Sequence, residues 1–270
     1  MTRWSVAGRG GAIRAAGVLL LLAAGAAPFV TVAGAPPSPV EIAGYATSLR
    51  ARSRNQRYNA RRAAIALDGA VIRPGAVFSF NRTVRSWSMD RGFRKAPVSY
   101  DGELIREYGG GVCQTSSTLY NVALLAGLPI LERHSHTVAP RYVEPGRDAA
   151  VAQPTIDLRF RNPHAYPLRI RAAVDGDLLR VALWAPRRPP GRVTITRQYL
   201  AYEPPAHRYR VVVADGGAGP APFVRNPGAP GCRVLTFRHV HLGDREPHSE
   251  QLSDDSYRGV DRTLVWTTVH

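Results

Sequence analysis

Chemistry in this sequence concentrates at Gly109-Gly110-Gly111-Val112-Cys113. Leu119, Val122, Ala123 and Ala126 follow at i, i+3, i+4 and i+7, one face of a helix. Cys113 therefore sits just before a helix start, where unpaired N–H groups and the positive end of the dipole lower a thiol pKa and favour thiolate. A thiolate nucleophile wants an imidazole partner, and His134 and His136 arrive on the next strand-like run. Glu132, His134 and His136 share strand parity and so are expected on one face. Asp148 and Asp157 are the candidates for orienting a histidine. Gly109, Gly110 and Gly111 allow a substrate or a neighbouring strand to approach the backbone closely. Plainer readings stand beside these. Cys113 can be a small buried apolar residue or the partner of Cys232 in a disulfide. The glycines can form a tight turn, and His-x-His can hold a metal with Glu132 or Cys113. The thiol reading requires no metal and no cofactor.

The elements that must position these residues belong to an α+β chain. A helix-like stretch runs from Ser48 to Leu67 and stops at Asp68-Gly69. A strand from Val71 to Asn81 carries a Pro74-Gly75 turn. The helix behind the glycines has Thr115 or Ser116 as its cap and Gly127 as its end. Strand-like runs follow over Ile130–Val138, Ile156–Phe160 and Leu168–Leu183, the last with Asp175-Gly176 as a hairpin turn. Ala185 to Gly191 reads as a Pro/Arg linker, and the residues beyond it show β-rich runs and no helix. The expected organisation is an N-terminal segment over 1–40, a main domain over 41–186 with the helix packed on a mostly antiparallel sheet, and a small β appendage over 187–270.

Charge and the N-terminal segment bound the setting. The chain has 36 basic and 20 acidic residues, a net of +16, but Lys95 is its only lysine. The arginines are scattered and never alternate with aromatics as a nucleic-acid groove requires, so nucleic acid is not expected as a partner. Arg3, Arg9 and Arg14 precede the apolar run Ala15–Ala27, and Thr31-Val32-Ala33 supplies small residues for cleavage. Residues 1–40 are thus expected to be an export signal or a membrane anchor, placing the protein outside the cytoplasm. Without those three arginines the remainder still carries +13, suited to anionic wall polymers or lipid headgroups.

Five strings then carry a resemblance: Pro74-Gly-x-x-Phe-Ser-Phe-Asn81, Tyr108-Gly-Gly-Gly-Val-Cys-Gln-Thr-Ser-Ser-Thr-Leu-Tyr-Asn121, Glu132-Arg-His-Ser-His136, Tyr142-Val-Glu-Pro-Gly-Arg-Asp148 and Asp157-Leu-Arg-Phe-Arg-Asn162, joined in this order by the spacing between them. Over residues 45 to 185 they resemble the VanW family, envelope proteins named for an accessory member of vancomycin-resistance clusters. The resemblance implies an exported or membrane-anchored protein with a VanW-like core. The C-terminal β segment is loosely similar to appendages that follow such domains. The family motif has one cysteine, matching Cys113, while Cys232 lies outside it, which argues against an obligatory disulfide. The polar positions it carries over include Asn81, Gln114, Ser116, Tyr142, Arg147 and Asn162, expected to line the substrate site.

Two functions follow as expectations. One is a thiol enzyme acting on peptidoglycan or its precursors, laid out like the papain-like and NlpC-like enzymes, with Cys113 as nucleophile, His136 or His134 as base, Asp148 or Asp157 as orienter and Gln114 as oxyanion donor. The other is a non-catalytic module that binds wall fragments in the same groove. A metal site is a third reading.

Overall fold

A computed structural model of the protein describes residues 38–100, 103–213 and 223–268. The expected export or anchor segment lies almost wholly outside the described residues. Among those described, no helix is long and apolar enough to cross a membrane.

The first half of the fold runs β1 (Val40–Ser48), α1 (Arg54–Leu67), β2 (Val71–Ile72), β3 (Val77–Ser79), α2 (Phe80–Val84), β4 (Lys95–Tyr100), β5 (Glu103–Tyr108) and α3 (Val112–Leu125). It continues with β6 (Ile130–Glu132), β7 (Arg159–Arg161), β8 (Leu168–Asp175) and β9 (Leu178–Ala185). The β8–β9 hairpin turns at Asp175-Gly176, where Gly176 takes φ 52. β8 alternates buried Leu168, Ile170 and Ala172 with exposed Arg169 and Arg171, the pattern of a sheet with one covered face. That face belongs to a four-stranded antiparallel sheet in the order β1-β9-β8-β2, against which α1 and α3 pack. β1 is absent from the sequence reading, and it claims Ser48, so α1 starts only at Arg54. Ser53 and Gln56 form a reciprocal capping box there, satisfying two otherwise orphaned N–H groups.

α3 is buried along nearly its whole length, including Gln114, Thr115, Ser116, Ser117, Thr118 and Asn121. A helix enclosed on all sides must satisfy its own polar groups. Thr118 donates to the Gln114 carbonyl at 2.7 Å and Asn121 to the Ser117 carbonyl at 2.8 Å. Leu119, Val122 and Ala123 fill the core cluster with Ala63, Leu67, Ile170 and Val181.

β10 (Arg192–Glu203), β11 (His207–Val213), β12 (Phe223–Ala229), β13 (Gly231–His241), β14 (His248–Tyr257) and β15 (Val260–Thr268) make two further sheets, β10-β13-β14 and β11-β15-β12. Only β11 and β15 pair in parallel among the named pairs, so the described residues are mostly antiparallel sheet with few helices. These strands hold on to the first half of the fold through polar contacts. Arg238 donates to the Leu128 carbonyl at 2.8 Å, and the Arg258 N–H to the Thr137 carbonyl at 2.8 Å.

Candidate functional site

Cys113 is the second residue of α3, in its first turn rather than ahead of it, because the helix begins at Val112 with Gly111 as N-cap at φ 108. Gly111 brings no side chain to cap that turn. Thr115 and Ser116, expected as caps, lie one turn further in, where Thr115 donates to the Ala60 carbonyl and Ser116 to the Ala149 carbonyl. The glycines are required by close approach of the protein itself. A Cβ would come within 2.2 Å of Trp87 at Gly109, 2.6 Å of the Pro97 carbonyl at Gly110 and 2.3 Å of the Gln56 carbonyl at Gly111. Asn59, fully buried on α1, donates to the Gly110 carbonyl at 2.9 Å and pins the loop. The expected substrate-binding faces of these glycines are therefore occupied by neighbouring elements.

The strand expected over Ile130–Val138 stops at Glu132, so alternation no longer governs the two histidines. His134 pairs with Glu132 at 3.3 Å, half exposed. His136 turns the other way. Its Nδ1 lies 2.5 Å from Asp148 Oδ2, and its backbone N–H donates to the same oxygen at 2.8 Å. The Cys113 thiol donates to the Val151 carbonyl at 3.4 Å, and the His136 ring is its electrostatic neighbour. With the histidines committed to different partners, His-x-His gathers no ligand set with Glu132 or Cys113. Among the described residues no three His, Cys, Asp or Glu side chains cluster as a metal site would need. Cys113 and Cys232 are both free thiols.

Asp148 has no solvent exposure and is held from two segments, the run after β6 and β14. Besides His136, Tyr257 on β14 donates its hydroxyl to Asp148 Oδ1 at 2.5 Å and Arg133 donates Nη2 to it at 3.1 Å. Arg133 also gives Nε to the Asp148 carbonyl at 2.7 Å and Nη1 to Asp255 at 2.5 Å. A carboxylate buried this deeply survives as an anion only when it is paired and hydrogen-bonded. Ser117 completes the join, accepting from the Ala149 N–H at 2.9 Å and donating to the Cys113 carbonyl at 2.8 Å. Asp148 and the thiol are thereby tied to one helix.

The electrostatics follow from this arrangement. Burial alone would raise the Asp148 carboxyl, but the hydrogen bond and charge of His136, with Arg133 and Tyr257, hold it below the ordinary carboxylate value. Burial would lower His136, yet its bond to Asp148 and the neighbouring Cys113 push it up to about 10. Burial opposes ionisation of Cys113 too, and the neighbouring His136 imidazolium overcomes it, so the thiol lies below its ordinary value. Burial, and then the thiolate charge, keep Tyr142 protonated with a pKa well above normal. Both shifts favour the thiolate–imidazolium form of the pair over the neutral one.

Other nominated residues have different work. Asp157 accepts from Ser79 Oγ at 2.5 Å and from the N–H groups of Asn81 and Leu158, both at 2.8 Å, so it anchors the β3–α2 corner and does not orient a histidine. Asn81 donates to the Ile156 carbonyl in the same corner. Asn162, fully buried, donates to the carbonyls of Ile72 and Tyr166 and accepts from the His164 N–H, a loop clamp. Arg147 donates to Asn121 Oδ1 at 2.6 Å and lies over the Tyr45 ring. Gln114 is not a free oxyanion donor. Its amide nitrogen is spent on Thr47 Oγ1 at 3.1 Å and the Ser48 carbonyl at 2.9 Å, while its oxygen accepts from Arg52 Nε at 3.0 Å. Tyr142 remains at the site, its ring edge-on to His136 with centroids 6.5 Å apart. Residue type and spacing alone do not single out Arg52, Asp255 and Tyr257, nor Arg133 by its own chemistry. Only Arg133, inside the Glu132-to-His136 string, carried a local signal. A cleft lined by Ile130, Glu132, His134, Arg238 and Glu250 touches this network through Arg133 and Asp255, and neither Cys113 nor His136 lines it.

Residues 55–184 match the family described as VanW like protein. Over 148 residues, 55% of this chain and 49% of the relative, the chain is 38% identical to the uncharacterized protein YoaR of Bacillus subtilis (strain 168). Over 154 residues, 55% of this chain and 56% of the relative, it is 31% identical to the vancomycin B-type resistance protein VanW of Enterococcus faecalis (strain ATCC 700802 / V583). The chain thus spans about half the length of the curated relatives it matches. The crystal structure of HP0197-G5 aligns with 27% of this chain and 96% of that one at 16% identity, with a TM-score of 0.14, too low to carry an argument.

Proposed function

We propose that this chain, which belongs to the VanW-like family through residues 55–184, is an exported thiol enzyme that breaks or exchanges an amide bond in peptidoglycan or its precursors. The observation that carries the reading is the buried Asp148 holding His136 at 2.5 Å, with the imidazole electrostatically coupled to the Cys113 thiol in the first turn of α3. The vancomycin resistance in the name of one relative, together with the surplus of arginine, makes an anionic cell wall the fitting substrate class and links the chain to glycopeptide resistance.

In this reading the Cys113 thiolate attacks the acyl carbon and the carbonyl π pair moves onto oxygen. As the tetrahedral adduct collapses, the C–N bond breaks and the His136 imidazolium gives its proton to the departing amine. A water or a second amine then attacks the thioester, neutral His136 takes its proton, and Cys113 leaves as thiolate. Asp148 keeps the ring in the tautomer and orientation that both steps use. With the Gln114 side chain spent and the Val112 N–H given to the Gly109 carbonyl at 2.9 Å, the oxyanion role falls to the backbone N–H groups of Cys113 and Gln114.

Alkylation of Cys113 by iodoacetamide, followed by peptide mass spectrometry across pH, tests the reactive pair. Cys113 should react at pH 6, and His136→Ala should slow that reaction by about 100-fold as the thiolate is lost. Labelling that rises only near pH 8.5, as for an ordinary thiol, refutes the reading. Purified wall incubated with the protein should yield new fragments that Cys113→Ala does not make. Binding without fragments would instead favour the non-catalytic module.

A further inference from the structure

Several guanidinium groups that lean on α1, α3 or the sheet are matched by carboxylates: Arg57 by Asp177, Arg171 by Asp68, Arg238 by Glu250. Arg52, like Arg147 on Asn121 and the Tyr45 ring, is handled differently, and of the two it is Arg52 whose aromatic face also meets His136. It is partly buried, and among the described residues its hydrogen bond goes to a neutral amide, Nε to Gln114 Oε1 at 3.0 Å. Gln114 is itself immobilised by Thr47 and Ser48, so the guanidinium is fixed along one edge without losing its charge. Its carbon lies 4.9 Å from the centre of the Tyr142 ring. That ring meets His136 at its other contact, and its hydroxyl is 3.4 Å from Ser117 Oγ, which in turn donates to the Cys113 carbonyl. Tyr142 therefore spans the gap between imidazole and guanidinium, and the two separations limit that gap to about three residues of extended peptide. Burial and the neighbouring Arg141 both disfavour the Arg52 charge, with only Tyr142 in its favour. An ordered, half-buried cation held by amides and an aromatic face, its Nη edge left to ligands, is suited to a planar anion gripped bidentately.

We propose that Arg52 is the specificity residue of the Cys113 site and receives a carboxylate of the acyl substrate, so that the enzyme selects peptides with a free carboxylate within about three residues of the scissile bond. The assignment rests on the thiol reading above, and it is a statement about charge selection at that thiol. Peptides ending in an amide, or blocked by a neutral group at that distance, would be poor substrates, because the guanidinium would be covered without an anion to balance it.

The test uses methanethiosulfonate reagents that carry either a sulfonate or a trimethylammonium group, each placed a few bonds from the reacting sulfur. Rates at Cys113 are read by peptide mass spectrometry at low salt, and each is divided by the iodoacetamide rate of the same variant. Wild type should prefer the anionic reagent. In Arg52→Gln the anionic-to-cationic ratio should fall about tenfold, the effect expected of one charge at such a distance in a partly screened site. Arg52→Lys, which keeps the charge, should retain most of the preference. An unchanged ratio in Arg52→Gln overturns the proposal, as does a loss equally large in Arg52→Lys. Failure of the thiol reading shows separately, as an ordinary pH profile for iodoacetamide in wild type, whatever the charge ratio does.

Discussion

Asp148 and Asp157 stand nine positions apart, both buried, both accepting several hydrogen bonds, and both eligible for the same role on residue type alone. Their surroundings separate them. Asp157 is satisfied by one serine hydroxyl and two backbone N–H groups close to it in the fold's β3–α2 corner. Asp148 is satisfied by an imidazole, a guanidinium and a phenol, the first two from the run after β6 and the third from β14. Neutral donors make a carboxylate into a clamp. Ionisable donors make it the centre of an electrostatic circuit, and here the circuit reaches a thiol. The comparison teaches that the count of hydrogen bonds to a buried acid says little about its role, whereas the charge of the donors says much.

The sharpest way to break the comparison is to neutralise each acid. Asp148→Asn leaves Arg133 facing a neutral amide and takes away the partner that charges His136. It should cost about 3–5 kcal/mol in urea unfolding, the scale for breaking a buried ion pair, and should move the Cys113 alkylation profile to higher pH. The pH dependence has a definite sign. His136, raised to about 10, adds stability that is complete below its unfolded value of about 6.5 and lost as pH climbs through 10. Asp148, lowered, adds stability that is present above its unfolded value of about 3.9 and lost as pH falls through its depressed folded value. Asp148→Asn should therefore flatten the acid limb and shrink the alkaline one. Asp157→Asn should cost less, about 1–3 kcal/mol for the donors it leaves poorly matched, with the thiol profile of wild type. Equal movement of that profile in both variants would end the distinction between clamp and circuit.

What could be read in advance divides along the same line. The α3 helix, the β8–β9 hairpin and Cys113 at a helix start are local, carried by a 3.6-residue period, an Asp-Gly turn and a glycine break. Asp148 was one of two candidates because nothing local distinguishes it from Asp157. Alternation does not carry through to the histidines, because β6 yields its last residue at Glu132, where pairing with β7 ends. β1 is not legible in the sequence, because its partner β9 lies far along the chain and Val40–Ser48 alternates too weakly to announce a strand. Gln114 looked like a free donor until its neighbours Thr47, Ser48 and Arg52 were in place. Each miss is a contact between segments distant in sequence, the kind that a periodicity does not encode.

The finest probe of the circuit is Tyr257, which reaches Asp148 from β14, 109 positions away. Its hydroxyl donates to Asp148 Oδ1 at 2.5 Å and accepts from the Gly146 N–H at 2.8 Å, while its ring packs with Cys232 and Val234. Tyr257→Phe keeps that packing and deletes only the hydroxyl. One donor to Asp148 and one acceptor for Gly146 vanish, so unfolding should become easier by about 1–2 kcal/mol. Because His136 and Arg133 still hold the carboxylate, the alkylation profile of Cys113 should move upward by less than about half a pH unit, well short of the effect of Asp148→Asn. A stability loss with no movement of the profile would make Tyr257 a brace for the Gly146 turn alone. Movement as large as that of Asp148→Asn would make the phenol an equal member of the circuit, and the C-terminal sheet a part of the thiol site.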